Sequence, residues 1–152
     1  MATKLKIDTD RWAPHALAAL RIITALLFLQ HATQKFFSFP APIQGAPDPL
    51  PAILLVAGAI ELVTGVLIVL GFWTRSAAFL ASGTMAAAYF MAHAPMSFWP
   101  VLNMGESAIL FCFVFFYLSF SGPGAWALDN RTGNASANRS RPQSGKSNVR
   151  SK

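Results

Sequence analysis

The chain has 152 residues, 54% of them hydrophobic and only 12% charged, with a formal net charge of +6 at pH 7. A soluble domain carries about 25% charged residues, so ordinary soluble composition is excluded. The apolar stretches are too long for a nucleic-acid domain, and half of the twelve Lys and Arg residues lie from Arg131 onward, so the charge reads as membrane-topology charge.

Residues 1–15 form a polar N-terminus of mixed charge. No small-residue cleavage site ends the apolar segment that follows, which therefore reads as a retained span and not a signal peptide. That first helix is expected over 16–37, with Pro14 just before its start and a polar end, Gln30-His31-Ala32-Thr33-Gln34-Lys35. Five prolines between Ser38 and Pro51 forbid helix continuation and make a loop outside the hydrocarbon.

A second helix is expected over 52–72, and a tight turn follows at Gly71-Phe-Trp73-Thr74-Arg75. From 50 to 73 the only charge is Glu61, near the middle. About 20 uncharged residues suffice to cross a bilayer, and a carboxyl at the centre of such a span costs on the order of 2.5–3.5 kcal/mol. Glu61 therefore needs partners. A third helix, 76–93, has no charge, and its small residues Ala78, Ser82 and Ala86 recur every four positions, a spacing that lets helix backbones approach closely. A fourth, 101–120, is aromatic-rich and carries Glu106 near its start. From Asn130 the composition is polar and basic, which reads as a disordered tail over 130–152. The lone Cys112 excludes an intrachain disulfide and a CxxC pair, and reads as a small buried hydrophobe.

The fold class predicted is all-α: an integral membrane four-helix bundle over 16–129. Lys4, Lys6, Arg11, Arg75, Arg131 and Arg139 fall on one side of a four-span topology, so the positive-inside rule puts both termini in the cytoplasm. With a rise of about 1.5 Å per residue, Glu61 falls near mid-membrane. His31, Gln34, Lys35, His93 and Glu106 fall between it and the outer face. These six are the candidate ligand-binding residues, and Glu61, His31 and Lys35 the candidates for catalysis. Glu106 and Tyr117, eleven apart, are expected to share an interior face, as are Ser82, Ala86, Tyr89 and His93. Glu61 is either a protonated, hydrogen-bonded carboxyl or one half of an ion pair with His31, Lys35 or Arg21. Arg21, near the cytoplasmic edge, otherwise snorkels to the interface. No metal motif, phosphate loop, nucleophile elbow or CxxCH haem site is present.

The chain resembles the DoxX family of small four-helix membrane proteins. His31-Ala32-Thr33-Gln34-Lys35-Phe36-Phe37 is similar to the family's His-Gly-x-x-Lys-hydrophobic pattern, with Ala32 in place of the usual Gly. Gly58-x-x-Glu61-x-x-x-Gly65 with Leu70-Gly71-Phe72-Trp73-Thr74-Arg75 resembles its Glu-centred second helix and following turn, and Gly122-Pro123-Gly124…Leu128-Asp129 its ending. The resemblance implies a bacterial inner-membrane protein. Some members belong to quinone-linked oxidoreductases, including the small subunit of a thiosulfate:quinone enzyme, and others to oxidative-stress or quinone-resistance systems.

Two functions are carried forward. One is an accessory or quinone-interacting subunit of a redox system, in which a His and a carboxylate act at the quinone carbonyls and a partner protein supplies electrons. The other is a small-solute or proton transporter, or an assembly factor, in which the same charges line a path or lock the bundle. The sequence leaves the oligomeric state open.

Overall fold

The computed structural model describes residues 9–131. Its helices are α1 (Thr9–Phe37), α2 (Ala52–Leu70), α3 (Thr74–Ala88) and α4 (Glu106–Ser121), with a five-residue π turn at Tyr89–His93 continuing α3. No strand occurs among the described residues. The expected tail lies, beyond Arg131, outside them.

α1 and α2 are long and apolar enough to cross a membrane. Only 28% of either apolar stretch is buried, so neither is the core helix of a soluble protein. α4 is apolar but shorter, about 24 Å at 1.5 Å per residue. α1 packs on α2, α2 on α3, and α3 on α4, while α1 and α4 meet along a thin seam. The core is small-residue packing around a few large side chains: Ala25, Ala77, Ala78 and Ala81 with Phe28, Ile68, Met85, Phe115 and Leu118. Ile23, Leu26, Phe79, Leu80, Phe113 and Phe120 face outward. Alanines inside and large apolar side chains outside suit a hydrocarbon solvent, where close backbone approach holds helices together.

Three boundaries differ from those expected. α1 begins at Thr9, so Pro14 lies inside it. The missing N–H removes one bond at the exposed first turns, and the Pro14 carbonyl accepts from the Ala125 N–H at 2.8 Å, which ties the helix start to the chain after α4. α3 turns into the π turn because the helix must end before Pro95, and the Ala94 N–H bonds five residues back to Tyr89 at 2.9 Å. α4 starts at Glu106 and not at 101. The intervening chain is a knot of turns, with Leu102 and Asn103 both donating to the Trp99 carbonyl. Fully buried Asn103 holds it, donating to the Ser97 carbonyl at 2.8 Å and accepting from the Gly105 N–H at 2.8 Å.

The end of the molecule away from Pro95 is a clasp. Gly71 ends α2 at φ 66° and ψ 41°, a left-handed conformation that favours glycine. Asp129, fifty-odd residues away, caps α3: its carboxylate accepts from the N–H of Trp73 at 2.8 Å and of Thr74 at 3.0 Å. Burial alone would raise the Asp129 carboxyl; these N–H bonds and the nearby Arg21 charge outweigh that and hold it below its ordinary value.

Arg21 neither snorkels nor pairs with Glu61. Its guanidinium is fully buried and donates to the carbonyls of Pro123 (2.8 Å), Ile68 (2.6 Å), Val69 (2.7 Å), Ala125 (3.2 Å) and Trp126 (3.1 Å). The physical reason is backbone satisfaction. The last carbonyls of α2 lie beyond the helix's own ladder, with the Gly71 N–H reaching only Ile68 at 3.1 Å, and residues 122–128 are non-helical backbone packed on apolar surface, where acceptors need donors. Five rigid N–H groups meet that need better than contact with water.

Candidate functional site

At the opposite end of α1 and α2 the only ion pair among the described residues crosses from one helix to the other. Lys35 Nζ lies 2.8 Å from Glu61 Oε1 and 2.6 Å from Oε2, with a longer contact of 3.4 Å to the His31 carbonyl. Both side chains are shielded, Lys35 at 10% and Glu61 at 3% exposure.

The glycines of α2 explain how the pair forms. Gly58, Glu61 and Gly65 are all buried, and positions three and four apart share a helix face. A Cβ at Gly58 would stand 3.0 Å from Lys35 Cδ, and one at Gly65 would stand 2.6 Å from Leu29 Cδ2. The two glycines thus make the groove into which α1 settles, and Gly58 holds the aliphatic stem of Lys35 so that its ammonium lands on Glu61. The pair is worth more as a positioned charge than as glue, because desolvating two ions offsets most of their attraction.

The pair forms one wall of a cleft of about 140 Å³. His31 and His93 line it too, with Met85, Ala88, Ser107, Ala108 and Phe111 completing the walls. His31 meets Phe111 edge to face at 5.7 Å, and no described residue hydrogen-bonds its ring. The His93 Nδ1 lies 2.9 Å from the Asn103 carbonyl. A carbonyl only accepts, so Nδ1 carries the proton and Nε2 is the acceptor of the neutral ring. The π turn brings His93 to this position, a common use of such turns.

The structure therefore brings His31, Lys35, Glu61 and His93 together and leaves two other candidates apart. Gln34 lines a separate groove of about 470 Å³ beneath the proline-rich loop, with Ser38, Asp48 and Leu55. Lys35 borders that groove as well as the cleft, so it stands between them. Glu106 is exposed at the first turn of α4, and Tyr117 is exposed too. The late start of α4 sets its phase so that Ser107, Ala108 and Phe111 face the cleft. Ser82 does turn inward, donating to the Cys112 carbonyl at 2.9 Å. Ser107, Phe111 and Asn103 are the residues that sequence reasoning missed. Ser and Phe are too common in apolar helices to stand out, and the role of Asn103 depends on a loop whose turns the sequence does not announce. Among the described residues no three of His, Cys, Asp and Glu converge as a metal site.

A wider groove of about 490 Å³ lies at the clasp, lined by Trp73, Thr74, Arg75 and Asp129. Its charges are already engaged, Arg75 donating to the Ser119 and Phe120 carbonyls. The cleft beside the ion pair is where unengaged polar chemistry meets apolar walls.

A family model described as DoxX matches residues 16–94. A Haemophilus influenzae protein of unassigned function is 45% identical over 131 residues, covering 82% of this chain and 96% of its own length. Inner membrane protein YphA of Escherichia coli is 32% identical over 148 residues, covering 86% of this chain and 100% of itself. A Mycobacterium tuberculosis membrane protein is 28% identical over 136 residues, covering 78% and 82% respectively. No solved structure gives a significant match.

Proposed function

The chain belongs to the DoxX family of membrane proteins, and from that premise we propose that it is a four-span inner-membrane protein whose cleft binds a quinone as part of a redox system. The observation that carries the reading is the Lys35–Glu61 ion pair on the wall of a ring-sized cleft, with His31 beside it. The inner-membrane location is supported by the E. coli relative. The four-span topology is supported by the continuous helical run from Thr74 to His93 and by apolar α4. Both termini are cytoplasmic on the positive-inside rule, with Arg75 and Arg131 at the clasp end and Lys35 at the other.

The residues fit such a ligand. A dry cavity of about 150 Å³ takes up benzene, and the cleft is of that size. A bound quinone supplies two-electron, two-proton chemistry. Lys35 Nζ donates to a carbonyl oxygen at the polar end of the cleft, and Glu61 holds the ammonium in place. His31, whose ring no described residue hydrogen-bonds, would give or accept a proton at the ligand, and Glu61 would exchange protons with it through Lys35 or water. Met85, Ala88, Ala108 and Phe111 exclude solvent. These side chains move protons and not electrons, so a partner protein delivers the electrons.

Titrating the purified protein with a short-chain ubiquinone analogue, read by tryptophan fluorescence, should give saturable binding. Glu61→Gln and His31→Leu should each weaken it by about tenfold, the loss of one charged or buried hydrogen bond. A wild type that does not bind overturns the reading. One observation favours a transport alternative: Lys35 borders both the cleft and the groove under the proline-rich loop, a polar way outward. Proton flux in proteoliposomes that disappears in Glu61→Gln would select it.

A further inference from the structure

Beside the cleft lies a second space, on the side of the bundle that faces the bilayer. An apolar groove of about 290 Å³ runs along the thin seam between α1 and α4, lined by Thr24, Leu27, Ser107, Leu110, Phe111 and Val114. Ser107 and Phe111 line the cleft as well, so the two spaces meet at one serine and one aromatic ring. The Phe111 ring borders both spaces. It meets His31 at 5.7 Å and is backed by the buried rings of Phe28 at 5.7 Å and Phe115 at 6.0 Å. Leu27 and Leu110 are exposed on the outer surface, which in a membrane faces acyl chains.

We infer that this seam is the tail site of the ligand whose head occupies the cleft: a lipid-borne amphiphile with a ring-sized polar head and an isoprenoid or similar apolar chain, entering sideways between α1 and α4. Adjacency selects this occupant, because an apolar groove that shares Ser107 and Phe111 with the polar cleft suits one molecule that is polar at one end and apolar along the rest. Its extent is too small for a partner helix. On α1 it spans about one turn, Thr24 to Leu27, and on α4 about two, Ser107 to Val114, some 10 Å at 1.5 Å per residue, which is no longer than a helix with its side chains is wide. The thinness of the α1–α4 contact has a use on this account: it is where the helices part to admit a chain.

The inference rests on the quinone reading for the head, and the test separates the two. The full-length protein in nanodiscs is titrated with a ten-carbon-tailed ubiquinone analogue and with the same dimethoxy-methyl ring lacking its tail, both corrected for partition into empty nanodiscs. After that correction the tailed compound should still bind about threefold or more tighter, a gain from packing in the groove, since a tail that leaves lipid gains nothing from leaving water. Val114→Trp, which fills the groove, should abolish that preference while tailless binding stays within about twofold. Leu27→Trp, on the opposite wall, serves if Val114→Trp does not fold. Equal affinity of wild type for both compounds, or a preference unchanged in the filled variants, overturns the tail site and leaves the head site standing. Binding of neither compound overturns the head site and the tail site with it.

Discussion

Two buried cations sit in this molecule, and each is held in a different way. Lys35 meets a carboxylate, so the energetics are those of a pair: removing one member leaves the other uncompensated, at a cost of about 3 kcal/mol or more. Glu61→Gln and Lys35→Met should each lower the denaturation midpoint in detergent, whereas the double variant should recover most of the loss. Additive losses would mean that the two side chains are not coupled. Arg21 meets only carbonyls, so the relevant count is unsatisfied acceptors. Arg21→Leu takes a donor from five of them, of which Ile68 alone keeps another in the Gly71 N–H, and should cost about 3 kcal/mol or more. Arg21→Lys should rescue little, since a single ammonium cannot reach the acceptors that a planar fork spans. A stable, fully helical Arg21→Leu protein would refute the clasp. At this scale the sequence was half legible. Glu61 and its candidate partners stood out because a lone charge in an apolar run demands one, and Lys35 was among them. Arg21 was misjudged because its partners are main-chain atoms, which carry no residue-type signal and come from the end of α2 and from the chain after α4, about a hundred positions away.

Helices were more legible than their phases. Runs of apolar residues and clusters of proline locate the four elements, though α1 starts seven residues earlier than expected and α4 five residues later. The face that each element buries depends on where it starts and what crosses it, and the knot of turns over 94–105 moved α4 far enough to put Glu106 outside, Ser107 on the rim of the cleft and Ala108 inside. The glycine spacing on α2 was legible as a pattern, but its purpose emerged only with α1 in place. Gly58→Leu should overpack that contact by about 1–3 kcal/mol and displace the Lys35 stem. It should therefore abolish quinone-analogue binding more completely than it lowers stability, a split that a binding titration alongside thermal unfolding reads directly. At the other end, Gly71→Ala forces an L-residue to φ 66° and brings its Cβ to 2.5 Å from the Ala127 Cβ. The backbone alone makes that about 1–2 kcal/mol destabilising. The α3 cap is a pH sensor of known sign. Because Asp129 is held below its ordinary value, its contribution is complete above about pH 3.9, the unfolded value, and is lost as pH falls through the lower folded value. Thermal unfolding between about pH 2.5 and 6 should show that acid-side decline in wild type and a shallower one in Asp129→Asn; parallel profiles would remove the cap from the stability of the fold.

The molecule as a whole is an inside-out arrangement, alanines within and phenylalanines without. That much follows from composition, since a chain with 12% charged residues cannot cover itself with polar surface. Which way it lies in the bilayer rests on the charge bias. A reporter fused after Asp129 should read as cytoplasmic and one inserted at Gly45 as external; the same location for both would break the four-span topology. The fastening of the two ends is also unequal. At the clasp, Arg21, Gly71, Asp129 and the chain after α4 knit three helices together through bonds between side chains and main chain. At the far end α1 rests in the Gly58 and Gly65 groove of α2 with one shielded ion pair across it, beside the thin α1–α4 seam. The two fastenings lie some 20 Å apart along α1, from Arg21 to Lys35 at about 1.5 Å per residue. Substitutions at one end should therefore add to those at the other, because sites that far apart share no partners.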